Sequence, residues 1–396
     1  MPLNDPAHAF VPYPDVAVPH AGTGPLSGLT FGVKDLFDVA GYPTGGGNPL
    51  LLAMSGIKTT TAPTVQKLLD AGAALAGKTV TDELAFSMNG NNAHFGAPLN
   101  GAAPERITGG SSSGSASAVS SMECDFALGT DTGGSVRAPA SHCGLYGIRP
   151  THGRVSLQSA LALCHSFDTC GWFARDAHTF ARVADVLLDA DPAPLPADPQ
   201  AIRLLSPTDV WGLIAPAVLP AWDGALARIQ QVFGPSADTT LALESFDAMY
   251  WAFRYVQGRE AWMTDGAFIE RYAPVLGPGV KERFAWSKEV TDAQFVAASQ
   301  FRERFRQHLA NLLGHDGVLV MPTMPDIAPL RSADEASLEA YRNHAVQMLC
   351  AAGLSGFPQI SLPLAGRDGA PLGISLLGPK GSDKSLIGMA EKLAAV

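Results

Sequence analysis

The sequence predicts an α/β protein, and three observations carry that prediction. Short apolar runs closed by proline or glycine, Gly317–Met321, Gln359–Leu362 and Gly373–Leu377, have the length and composition of buried strands. Longer stretches repeat apolar residues at helical spacing, as in Val65, Leu68 and Leu69, and again in Val296, Phe301, Phe305, Leu309 and Leu312. The composition, 46% hydrophobic and 16% charged over 396 residues, is that of a chain with a large buried core.

Residues 1–27 are rich in proline, glycine and polar side chains and are expected along the surface. Leu29 to Lys34 then alternates, with Leu29, Phe31 and Val33 on one face and Thr30, Gly32 and Lys34 on the other. Lys34 thus shares its side with small residues. A lysine in such a strand is ordinarily a surface group at a sheet edge. Asp35 is expected to hold a turn rather than to neutralise Lys34. Gly41–Pro49 reads as loop, and the helix that follows from Ala62 ends near Gly72.

Gly72 to Thr79 matches the phosphate-loop pattern GxxxxGK[ST] letter for letter. That motif needs a strand before it and a helix after it. Here a helix precedes it and Ala73–Ala76 reads as an entering strand, so no nucleotide site is expected. Gly110–Gly114 matches GxSxG, but Pro104–Thr108 is a poor strand to lead into a nucleophile elbow. Asn89 to Gly101 is loop. Asp176 caps a helix with Phe180, Val183, Leu187 and Leu188 on its apolar side, and Asp189–Gln200 reads as an exposed, proline-rich connection. The stretch 201–315 is crowded with aromatic residues, among them Phe246, Tyr250, Trp251, Phe253, Tyr255, Trp262 and Trp286. Such residues at helical spacing are chiefly core, with some free to line a pocket. Leu386 to Val396 reads as a closing helix.

The densest chemistry lies between Thr108 and Pro139. Two glycine-serine clusters, Gly109–Gly114 and Gly133–Ser135, are joined by small and apolar residues. Glycines let backbone N–H groups come close to a ligand, and serines beside them supply hydroxyls, so the stretch has the parts of an acyl-transfer site. A flexible linker has a similar composition. Ala116, Ala118, Val119, Phe126, Ala127 and Leu128 read as buried, which a linker would not be.

At these residues the chain resembles the amidase signature family of serine hydrolases. The family pattern, GGSS(S/G)G followed by GTDxGGSxRxPA, reads here as Gly109–Gly114 and Gly129–Ala140, with the family's lysine in Gly32-Val33-Lys34-Asp35. The resemblance implies one domain over 1–396, a central mixed twisted β-sheet covered by helices on both faces. Its catalytic core is expected at about 28–190 and 315–396, with a helical, aromatic-rich substrate side at about 200–315. By resemblance Ser135 is the nucleophile, Lys34 the general base, and Ser111 the proton carrier between them, held next to a cis peptide bond. The backbone N–H groups of Thr132, Gly133, Gly134 and Ser135 are the expected oxyanion donors. No cofactor and no metal are implied.

Within the family the chain looks most like plant-type indole-3-acetamide hydrolases, on GVKDLFDVAGYPTGGGNP, SMNGNNAHFGAPLN and SFDTCGWFARD; it departs at Asn100-Gly101, where relatives often have Asn-Pro. The expected reaction is hydrolysis of a small primary carboxamide, aryl- or indole-acetamide-like, to carboxylate and ammonia through an acyl-enzyme. The alternatives are an amidotransferase A-type subunit releasing ammonia from glutamine, and a non-catalytic amidase-like binding module. Presence of Lys34, Ser111 and Ser135 together speaks against the last.

A lysine base raises a question of magnitude, because at its reference pKa fewer than about one in a thousand is neutral at pH 7. Burial beside small residues is the expected remedy. Arg137 is expected to pair with Asp131, and His94, His142 and His152 are expected in structural roles. The net charge of −10, with no basic run, excludes a nucleic-acid footprint. No apolar run approaches the roughly 18 residues of a membrane span. Five scattered cysteines and no secretory leader pattern point to a reduced, cytoplasmic protein, with a homodimer left open.

Overall fold

The computed structural model describes residues 5–396. The alternation around Phe31 and Val33 makes Thr30–Lys34 a strand (β1), which lies between two parallel neighbours, β2 (Ala74–Thr79) and β3 (Phe126–Asp131). Next come β4 (Tyr146–Arg149), β5 (Thr169–Ala174), β6 (Arg203–Pro207), β7 (Ala237–Thr239), β8 (Gly317–Pro322), β9 (Gln359–Arg367) and β10 (Ala370–Leu377). All ten form one mixed sheet in the order β2-β1-β3-β5-β4-β9-β10-β8-β6-β7. The aromatic-rich stretch therefore supplies two strands, β6 and β7, as well as helices.

Both faces of the sheet are covered. Along β3, Phe126 and Leu128 join the larger apolar core while Ala127 between them joins a second one with Ala116, Ala118 and Val119 of the helix Ser113–Ser120. A strand buried on both sides has no polar alternation, and β3 and β8 show none. Helices Ala177–Leu187 and Asp383–Ala394 pack together, and Phe246–Tyr272, Val280–Lys288, Asp292–Leu313 and Glu335–Ser355 form a helical layer of their own.

The first four residues lie outside the described structure, but the rest of the N-terminal stretch is more than a surface strap. Val11 N–H donates to the Lys78 carbonyl at 2.8 Å and Phe10 bridges Thr79, so this segment covers the outer edge of β2. Phe10 and Val11 are buried by it. Covering the edge protects a row of otherwise open backbone groups.

β1 is consequently an interior strand, and Lys34 is fully buried rather than at an edge. Lys78 settles the phosphate-loop match: Gly77, Lys78 and Thr79 lie inside β2, and the buried Lys78 ammonium pairs with Asp35 at 2.7 Å. Asp35 also accepts from Tyr13 Oη and Gly45 N–H, so it holds the turn after β1 while neutralising a lysine other than Lys34. Asp189–Gln200 is mostly exposed, yet Asp191 ties it to Arg154, Lys384 and Ser385. No helix among the described residues is long and apolar enough to cross a membrane.

Candidate active site

Three segments distant in sequence meet at the end of β1. Lys34 Nζ stands 2.7 Å from Ser111 Oγ, 3.0 Å from Ser112 Oγ and 2.8 Å from Thr130 Oγ1. Burial pushes its pKa down to about 7, against the carboxylates of Asp82, Asp168 and Asp131, which favour the charged form. A neutral amine has two N–H donors and one lone pair, so one of three neighbours must donate to it. Ser112 is not free to do so, since its hydroxyl donates to the Thr130 carbonyl and accepts the Thr130 N–H, both at 3.2 Å. The lone pair therefore faces the hydroxyl of Ser111 or of Thr130.

The Ser111 loop is clamped from beneath. The Ser111 carbonyl accepts from Asp82 N–H and from Thr81 Oγ1, both at 3.0 Å, and the Gly110–Ser111 peptide bond is cis. Gly110 has to be glycine, because a Cβ there would collide with the Asp82 carboxylate. Asp82 is fully buried, accepts Gly90 N–H at 3.0 Å, and is pushed upward in pKa by that burial. GxSxG does not form a nucleophile elbow here: no strand precedes Ser112, and the helix begins at Ser113.

The second glycine-serine cluster is built around Asp131 at the end of β3. Its carboxylate receives Gly134 N–H at 3.0 Å, Val136 N–H at 3.1 Å, and Arg137 through both Nε and Nη2. Burial alone would raise the Asp131 pKa, but Arg137 and Arg149 outweigh it and hold the carboxyl well below its usual range. Arg149 binds the Asp131 and Thr132 carbonyls, and Asp168 holds Thr132 Oγ1 at 2.6 Å. Arg137 is thereby engaged within the loop, as its spacing from Asp131 suggests.

This network corrects one expected donor. The Gly134 N–H is committed to the Asp131 carboxylate at 3.0 Å and is not free as a donor. The N–H groups of Thr132, Gly133 and Ser135 have no hydrogen-bond partner among the described residues. Gly134, at φ 131°, lies in a region that side chains avoid, and it swings the chain so that Ser135 follows.

Ser135 opens on a cleft lined by Phe86, Met88, Thr132, Gly133, Phe253, Gln257, Arg342 and Val346. The free space is about 20 Å³, room for one water. Ser135 meets the Lys34 cluster through its backbone, where Ser112 N–H donates to the Ser135 carbonyl at 3.4 Å. The histidines lie elsewhere in the hydrogen-bond network: His142 faces Tyr341 Oη at 3.0 Å with its pKa driven down to about 3 by burial, and His94 faces Glu83.

Residues 14–208 and 243–387 match the amidase family profile, which embraces both serine clusters and the lysine. The chain belongs to the amidase family. It is 39% identical to Amidase 1 of Arabidopsis thaliana, over the whole of both chains. It is 37% identical to Amidase 1 of Oryza sativa subsp. japonica, covering 93% of this chain and 90% of the rice protein. A crystal structure of an amidase superposes with a TM-score of 0.84 at 30% identity, over 94% of this chain and 85% of that one. As an amidase-family member, this protein is a hydrolase acting on amide bonds.

Among the residues that the sequence reading passed over, Asp82, Asp168 and Arg149 matter most to the amidase site. A pair of acids set among apolar residues, Val80-Thr81-Asp82-Glu83-Leu84, is itself a signal of a buried carboxylate with a local purpose. Phe253 stood in an aromatic crowd with nothing to distinguish it. In the fold it is the one whose ring packs over Gly133, 2.8 Å from where a Cβ would stand.

Proposed function

We propose that this amidase hydrolyses small primary carboxamides carrying an aromatic acyl arm, with Ser135 as nucleophile, Lys34 as base and Ser111 as relay. The observation that carries this reading is the buried Lys34–Ser111 contact at 2.7 Å beside a cleft walled by Phe86, Met88, Phe253 and Val346. Ser135 Oγ attacks the amide carbon while its proton passes to Ser111 and the Ser111 proton to Lys34. The carbonyl π pair moves to oxygen, which the N–H groups of Thr132, Gly133 and Ser135 receive. On collapse the C–N bond breaks, and the proton returns through Ser111 to the nitrogen, which leaves as ammonia. Water then attacks the acyl-Ser135 ester by the same route and releases the carboxylate.

Lining residues weigh against glutamine as the ammonia source. Its α-ammonium would meet Gln257 and Arg342 and no carboxylate in the cleft wall. A cytoplasmic location is part of the same proposal, in keeping with five buried free thiols.

A panel of primary amides with ammonia detection tests the substrate class. Arylacetamides are expected to have the highest kcat/KM, and short aliphatic amides turning over much faster would overturn the reading. A second expected result concerns Asp82, the strongest influence opposing burial at Lys34. Its carboxylate favours the ammonium, so Asp82→Asn should lower the Lys34 pKa and move the acid limb of the kcat/KM–pH profile below about 7. A limb that stays or moves upward counts against the coupling.

A further inference from the structure

Three buried arginines gather where the cleft over Ser135 meets its neighbouring cavity. Arg342, 4% exposed, lines the cleft itself. Arg254 and Arg283, 9% and 6% exposed, line the adjoining cavity of about 440 Å³ together with Trp286. Arg283 and Arg342 meet at Glu339, and burial lowers the pKa of both Arg254 and Arg283, with Arg342 lowering each further.

Their counter-charge is thin. Arg283 and Arg342 share the single carboxylate of Glu339, at 3.2 and 3.1 Å. Arg283 also donates to the Phe86 carbonyl, and Arg254 has no carboxylate partner among the described residues; it reaches Tyr250 Oη and stacks on the Trp286 ring at 4.8 Å. Arg342 Nε is buried without a hydrogen-bond partner, and Nη1 has Glu339 and, at 3.4 Å, Asn343. Two further carboxylates border the cavity, both on exposed residues. Glu282 is held by Gly279 N–H at 2.6 Å, and neither Glu282 nor Glu335 forms an ion pair with the trio. Only one of the three bordering carboxylates pairs with a guanidinium, so three largely buried cations are incompletely neutralised, a state that a bound anion relieves.

We propose that Arg254, Arg283 and Arg342 form an anion-recognition subsite alongside the amide site, and that favoured substrates carry a carboxylate on the acyl arm, at the end remote from the amide. This rests on the amide-hydrolysis reading above and adds the second polar feature of the substrate. The adjoining cavity of about 440 Å³, bordered by Trp286, has the room for the arm that the cleft itself lacks, and the guanidinium fork of Arg342 receives the anion in the bidentate manner that suits a carboxylate.

The test uses a matched pair, 4-methylphenylacetamide and its analogue with a carboxymethyl group in place of the methyl. The wild-type protein should prefer the carboxylated amide by on the order of 10- to 100-fold in kcat/KM, as expected of a charge-assisted contact. Arg342→Gln and, separately, Arg283→Gln should shrink that ratio, and a ratio is insensitive to any loss of folded enzyme. Equal turnover of the pair, or a preference that survives both variants, overturns the subsite while leaving amide hydrolysis standing. Hydrolysis of neither amide would instead strike the functional reading. Binding separates the two: the carboxylated amide, titrated calorimetrically into Ser135→Ala, should bind and lose about tenfold or more in affinity when Arg342→Gln is added. An unchanged Kd sinks the subsite whether or not the amides turn over.

Discussion

Ser135→Ala is expected to abolish both turnover and covalent labelling, lowering kcat by on the order of 10⁴-fold or more. A serine-directed fluorophosphonate or a slow ester should leave its adduct on Ser135, the serine that opens on the cleft beside the free N–H groups of Thr132 and Gly133. Ser111→Ala should retain the label site but slow turnover by roughly 10²–10⁴, because the proton path to Lys34 is cut. Ser112→Ala has a different expected signature. Ser112 ties Lys34 to the Thr130 backbone, so its loss should lower Tm as well as rate. Peptide mapping by mass spectrometry decides the matter: an adduct within Ser111–Ser113, with Ser135 unmodified, would overturn the assignment.

Lys34→Ala is the second large effect, a loss of on the order of 10²–10⁴ in kcat. In the wild type, activity should rise with pH through about 7 as Lys34 gives up its proton, and this acid limb should vanish in the variant. Stability gives an independent readout. The folded pKa of about 7 lies below the unfolded 10.5, so between those values the unfolded chain binds more protons and wild-type stability climbs with pH. Lys34→Met should climb less than the wild type in denaturant titrations at pH 7 and pH 10, the buried Lys78 keeping its own share. His142→Ala serves as the contrast, since its ring is buried against Tyr341. Full activity in Lys34→Ala with activity lost in His142→Ala would replace the lysine with a histidine base.

Local pattern alone determined a good part of this protein. The alternation from Leu29 to Lys34, the apolar runs of β8 to β10 and the paired clusters around Ser111 and Ser135 are properties of neighbouring residues, and neighbouring residues suffice to write strands, helices and a glycine-rich loop. The pairing of Asp131 with Arg137 is of this kind, six residues apart on one turn. Tertiary structure decided the rest. Lys34 and Ser111 are 77 residues apart, and their contact exists because β1 was placed between β2 and β3 rather than at an edge. The same sheet order buries Lys78 against Asp35 and so removes the phosphate loop that its letters spell. The commitment of Gly134 N–H to Asp131, the carboxylate of Asp82 under Ser111, and Phe253 and Arg342 over Ser135 depend on elements brought together across the sheet. No periodicity within a window can encode them, because burial and charge at a site are sums over whatever the fold sets beside it.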